Sequence, residues 1–180
     1  MHTATELERR VQFVLATAEL VLERPIRSVL DACCGEGAWM PVLTRLRPRV
    51  RYVGIDASEY AVRRFGTSRG IRLGCFRDLD ELAAEGPFDL VVCSGALYYL
   101  DTAEIAAGLA AIGELLEGVA FLEVFTEADP LEGDVRGVRR RRASWWRAAM
   151  RRAGLAPLGM HCWVTAERAA ELAEMERRPR

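Results

Sequence analysis

Lysine is missing from this sequence: all 25 basic residues are arginine. Without a lysine amine there is no Schiff-base chemistry and no lysine to grip a triphosphate, so pyridoxal enzymes and P-loop nucleotidases are excluded. Histidine is nearly as scarce, and His161 is the one imidazole outside the N-terminal tail. The five cysteines, Cys33, Cys34, Cys75, Cys93 and Cys162, are an odd number without zinc-ribbon spacing, so they read as buried thiols of a reducing compartment. No apolar run is long enough to span a membrane, and Met1 to Arg10 is too charged for a secretory signal, so a soluble cytoplasmic protein is expected. A formal net charge of −1 gives no general pull toward nucleic acid. Linkers, repeats and low-complexity tracts are also missing. A single domain over residues 1–180 is expected, large enough to bury roughly 70% of its unfolded surface.

What is present is an alternation of strands and helices. Thr5 to Leu22 carries apolar residues at helical spacing, with Thr5 and Glu8 as a capping box, and Pro25 closes this N-terminal segment of residues 1–24. Strands are predicted at Ser28–Ala32, Val50–Ile55, Ile71–Phe76, Phe88–Cys93 and Val119–Phe125, and helices at Ala38–Leu46, Ser58–Phe65, Asp78–Glu85 and Thr102–Glu117. Asp101 caps the last of these helices and Gly118 ends it. The run FDLVVC is apolar almost throughout, as a strand covered on both faces requires. Such alternation predicts an α/β fold, a doubly wound, mostly parallel sheet of six or seven strands in a three-layer α/β/α sandwich. Its ligands bind beyond the carboxyl ends of the strands. After Phe125 come a polar stretch, Thr126 to Ala143, a helix Ser144–Ala153, one strand Leu158–Val164 and a helix Thr165–Arg177.

The stretch SVLDACCGEGA, Ser28 to Ala38, reads strand, glycine-bearing turn, helix. A turn of that kind leaves backbone N–H groups pointing above the strand end, which makes it a ligand cradle. A dinucleotide turn wants G-x-G-x-x-G, and those places read Cys33, Gly35 and Ala38. Asp56 stands 19 residues past Gly37, near the spacing at which an acid reaches ribose hydroxyls.

The succession VLDACCGEG, YVGIDAS, FRDL and FDLVVCSGALYYL resembles the Rossmann-like, class I S-adenosylmethionine-dependent methyltransferases over residues 26–125. The resemblance implies S-adenosylmethionine as cofactor and S-adenosylhomocysteine as product. Asp31, Cys33, Gly35 and Gly37 stand in for the family's D-x-G-x-G-x-G, with cysteine at the first glycine. Asp31 would face the ammonium, Asp56 and Ala57 the ribose, Asp78 the adenine amino group, and Phe76, Arg77 or Leu79 the ring. Ser94 and Gly95 open the SGALYY loop around the methionine end. The residue after FDLVVC is Ser94, where metal-dependent catechol-type members carry aspartate, so no metal is implied. Signatures for base-amine and cytosine-C5 methylation are also missing. Tyr98 and His161 are the catalytic candidates, with Glu123 and Glu127 as further bases.

The implied function is methyl transfer to an O or N atom of a small-molecule acceptor, anionic or aromatic, by a monomer or homodimer. Nucleic acid is an unlikely partner and a membrane is not one. A cofactor-binding module without turnover, and an RNA or protein acceptor, are the alternatives. Residues 126–180 form the acceptor side. There Arg139 to Arg142 beside Trp145 and Trp146, with Gly133 and Gly137 upstream, read as a lid holding an anionic acceptor or as a solvated arginine face over packed tryptophans.

Overall fold

The computed structural model describes residues 3–130 and 135–174. Gly133 and the end of the expected terminal helix at Arg177 lie outside the described residues.

Seven strands form one sheet in the order β3-β2-β1-β4-β5-β7-β6. β1 (Ser28–Ala32), β2 (Arg51–Asp56), β3 (Ile71–Leu73), β4 (Phe88–Cys93) and β5 (Leu116–Leu122) run parallel. β1 and β4 are buried at every position, as central strands covered on both faces must be. One face is packed by α1 (Ala4–Leu22) and α2 (Trp39–Leu46), where Val11, Val14, Leu43 and Trp39 meet Val29, Leu90 and Phe121. The other is packed by a 3₁₀ helix (Phe76–Glu85), α4 (Thr102–Leu115) and α5 (Ala143–Arg152), through Phe76, Ile105, Leu109 and Trp146. α3 (Glu59–Arg69), capped by Ser58, connects β2 to β3. No described helix is long and apolar enough to cross a membrane.

Four sequence expectations are corrected. The capping box of α1 is Thr3 with Glu6, not Thr5 with Glu8; Glu8 reaches instead to Arg45 of α2. α4 stops at Leu115, and Gly118 lies inside β5, where an added Cβ would come within 2.4 Å of the Asp89 carbonyl. This glycine permits close packing and does not terminate a helix. β3 ends at Leu73, and Phe76 begins the 3₁₀ helix, which is kinked at Asp78 (φ −103°, ψ 20°).

The fourth concerns the far edge. The expected strand Leu158–Val164 is a hairpin of β6 (Leu155–Gly159) and β7 (Cys162–Thr165), followed by α6 (Ala166–Ala173). Gly159, Met160 and His161 all take positive φ (100°, 51° and 62°), which reverses the chain in the middle of the apolar run. β7 pairs antiparallel with β5, Phe121 opposite Cys162, so the hairpin tip lies at the carboxyl end of β5. The sheet is therefore seven-stranded, and the six-stranded alternative falls.

Candidate active site

At the end of β1 the chain turns through Cys33 (φ 54°), Gly35 (φ 55°) and Gly37 (φ 70°) before α2 begins. Cys33 adopts the left-handed conformation that a glycine would have supplied, at a cost on the order of 1 kcal/mol. Its side chain packs against the core cluster that contains the buried Cys93 of β4. The turn is braced by Cys34 N donating to Ile55 O (3.1 Å), Gly37 N to Cys34 O (2.9 Å) and Gly35 N to Asp56 Oδ2 (2.6 Å). A Cβ at Gly35 would meet nothing within 4 Å, so this turn opens onto free space; one at Gly37 would press on Ile71 of β3.

Two carboxyl groups flank the turn in different states. Asp31 is buried, and its Oδ2 accepts a 2.6 Å hydrogen bond from the Tyr52 hydroxyl. Burial pushes it up to about 7, against the Tyr52 hydrogen bond and with help from the charge of Asp56. Burial likewise raises the Tyr52 hydroxyl and the Cys34 thiol. Asp56, the last residue of β2, accepts from Gly35 N and, through Oδ1, from Ser58 N at 2.9 Å, joining the turn to the start of α3. Each oxygen retains a further lone pair. Ala57 is exposed beside it, Asp78 is half-buried at the 3₁₀ kink, and Leu79 is buried beneath.

Past β4, Ser94 and Gly95 (φ 74°) lead into the tyrosine loop. Ser94 Oγ donates to Glu123 Oε2 (2.6 Å), and Arg10 Nη1 donates to Glu123 Oε1 (2.5 Å). Glu123 is buried just beyond β5, so a carboxylate considered as a base is clamped by a guanidinium and a hydroxyl. Arg10 also lies over the Phe121 ring (5.8 Å). Sequence reasoning missed Arg10 and Tyr52. The signal for Arg10 was its place on the apolar stripe of α1, three residues after Leu7 and four before Val14.

The two catalytic candidates attach to different parts of the β5 end. Tyr98 packs against Tyr99 (4.7 Å) and edge-on to Phe125 (5.2 Å), and burial pushes its hydroxyl up to about 12. His161 stands exposed in the hairpin tip, edge-on to Phe121 at 6.1 Å. It occupies a turn and not the expected strand. Glu127 pairs with Arg142 (3.2 Å). Trp146 is packed in the core with Nε1 donating to Phe125 O (3.1 Å), whereas Trp145 is half-buried. Among the described residues no three His, Cys, Asp or Glu side chains are grouped to hold a metal ion. At the carboxyl edge, then, a buried carboxyl titrating near neutrality, an anchored carboxylate and an open glycine turn converge on β1, β2 and β4, with aromatics and His161 over β5.

The family model for the methyltransferase domain matches residues 2–175. A search of curated proteins finds no match. Several solved structures share the fold. DesVI from Streptomyces venezuelae aligns with a TM-score of 0.63 at 19% identity, covering 85% of this chain and 84% of that one. The sugar N-methyltransferase KedS8 from Streptoalloteichus sp. ATCC 53650 aligns at 0.63 and 22% identity, covering 82% and 78%. An O-methyltransferase family protein from Burkholderia thailandensis aligns at 0.56 and 18% identity over 89% of this chain, which spans 56% of that protein's length.

Proposed function

Because the chain belongs to the methyltransferase-domain family and has the class I S-adenosylmethionine-dependent fold, we propose that it methylates an O or N atom of a small molecule without a metal ion. The observation that carries this reading is the joint between Gly35 and Asp56 beside the buried Asp31, at the ends of adjacent strands. An ammonium is the partner a buried carboxyl near neutrality lacks, which gives Asp31 its role. Asp56, with Ala57, faces the ribose hydroxyls. Asp78 and Leu79 take the adenine, and Cys33, Gly35, Gly37, Ser94 and Gly95 enclose the methionine end.

When bound, the sulfonium supplies an already activated methyl group. The protein's share is then positioning and exclusion of water. Tyr98, protonated at neutral pH, donates a hydrogen bond that orients the acceptor, and His161 accepts the proton the acceptor releases. Glu123 is held as an ion pair and fixes Ser94 and Arg10 instead of serving as the base. The sugar N-methyltransferase among the structural relatives supports a small-molecule acceptor. Five free thiols support a reducing, cytoplasmic setting.

Calorimetry with S-adenosylmethionine, S-adenosylhomocysteine and NAD tests the cofactor, and transfer of labelled methyl to an acceptor panel tests turnover. Both methyl-donor forms are expected to bind and NAD is not; NAD binding alone would overturn the reading. Binding without transfer to any acceptor would reduce the protein to a cofactor-binding module. Asp56→Ala is expected to weaken S-adenosylhomocysteine about tenfold or more, ~1.4 kcal/mol. Unchanged affinity would remove Asp56 from the site.

A further inference from the structure

Three consecutive arginines, Arg140, Arg141 and Arg142, together with Ser144 and Trp145, line an open cavity of about 510 Å³ in which Glu127 is the one carboxylate among the described lining residues. That volume lies within the range of small-molecule sites. Among the described residues the charges around it do not balance. Glu127 pairs with Arg142, and the side-chain bond of Arg140 goes only to the Glu127 carbonyl (3.1 Å).

Arg141 is more constrained. Its guanidinium lies over the Trp145 ring at 4.6 Å and reaches Trp146 at 5.5 Å, and its Nη2 donates to Leu100 O at 2.8 Å. Its Nη1 is buried with no hydrogen-bond partner. A buried, unpaired N–H of a charged group is expensive, and stacking occupies the faces of the guanidinium while leaving its edge to a planar oxyanion. Burial, and then the neighbouring charge of Arg139, hold the Arg141 guanidinium below its ordinary pKa, which an anion would relieve. The Asp101 charge offsets this only in part. α5 also begins here without a side-chain cap. An added oxyanion would satisfy each of these features.

The cavity adjoins the proposed acceptor position. Arg139 N donates to Tyr98 O (2.8 Å), and Arg141 is fastened to the end of the same loop at Leu100. We propose that this cavity binds a carboxylate or phosphate group carried by the methyl acceptor, held by Arg140 and Arg141. The acceptor assignment rests on the methyl-transfer reading, but the anion chemistry does not.

Calorimetry on the full chain at low salt, with phenyl phosphate, benzoate, inorganic phosphate and S-adenosylhomocysteine, tests it. Phenyl phosphate or benzoate is expected to bind, and Arg141→Leu and Arg140→Ala are each expected to weaken it about tenfold or more. S-adenosylhomocysteine affinity should stay unchanged in Arg140→Ala, whose exposed side chain keeps the test valid if Arg141→Leu does not fold. Absence of organic-anion binding, or binding indifferent to both substitutions, would overturn the proposal while S-adenosylhomocysteine binding left the methyl-transfer reading standing. Inorganic phosphate binding as tightly as phenyl phosphate would overturn the assignment to the acceptor. Anion binding without S-adenosylhomocysteine binding would sustain the anion chemistry and sink the parent reading.

Discussion

Two aspartates are buried in the paired central strands, Asp89 near the amino end of β4 and Asp31 near the carboxyl end of β1, and they are held in opposite ways. Asp89 accepts two bonds from Arg24 (3.0 and 2.7 Å), one from Arg27 N (2.5 Å) and one from Ser28 N (3.3 Å). Burial pushes its carboxyl up, but Arg24 and the two amides outweigh it and leave it below its ordinary value. Asp31 has the Tyr52 hydroxyl alone among the side-chain hydrogen bonds described, and it sits at about 7. Both are shielded from solvent, Asp31 the more deeply, and they differ in how fully their oxygens are satisfied. At the amino end the charge is spent on holding the α1–β1 connection to β4; at the carboxyl end it is left under-compensated, which is what the role proposed for Asp31 requires.

The most direct way to break this contrast is Asp89→Ala. It strands the partly buried Arg24 and two backbone amides, so a loss of about 3 kcal/mol is expected in urea unfolding. A loss below about 1 kcal/mol would show that this end is not the structural one. Next is Asp31→Asn. Asp31 has an ordinary pKa of 3.8 and a folded value of about 7. The folded state therefore binds the extra proton between these values, and stability falls as pH rises from about 4 through 7. Asp31→Asn should remove that fall and be more stable than the parent at pH 8, by at most ~4 kcal/mol, while binding S-adenosylmethionine more weakly. In the parent, cofactor affinity should rise between pH 6 and 8 as Asp31 ionises; a flat profile would detach Asp31 from the ammonium. The smallest effect belongs to Tyr52→Phe. Losing one hydrogen bond to Asp31 should cost about 1 kcal/mol and move the affinity profile toward higher pH, because that bond favours the ionised carboxyl.

The parallel core was legible because its signals are local and redundant. The apolar runs of β1, β2 and β4, the Ser58 and Asp101 caps and the glycine turn each agree with their neighbours. The misreadings fall where one signal serves two physical ends. Thr3 with Glu6 and Thr5 with Glu8 have the same three-residue spacing, and only the entry of the chain into α1 decides between them. A glycine after a helix reads as a stop, yet Gly118 is required by the Asp89 carbonyl pressing on it from β4. In the hairpin, Met160 and His161 take left-handed conformations without any residue type that announces them. At the site, the acids at strand ends were visible, but the hydrogen bonds they accept come from distant positions: Tyr52 to Asp31, and Gly35 to Asp56, span 21 positions each.

Arg10 gives the N-terminal helix a phase as well as a position. It reaches Glu123 and Ser94 only because it points the same way as Leu7 and Val14, and a helix advances about 100° per residue. One residue inserted between Arg10 and Val11 would swing the guanidinium off the sheet and take the Arg10 contact from Glu123 and Ser94. The first helix is thus keyed to the carboxyl ends of β4 and β5 by rotation, as a bolt is to a lock.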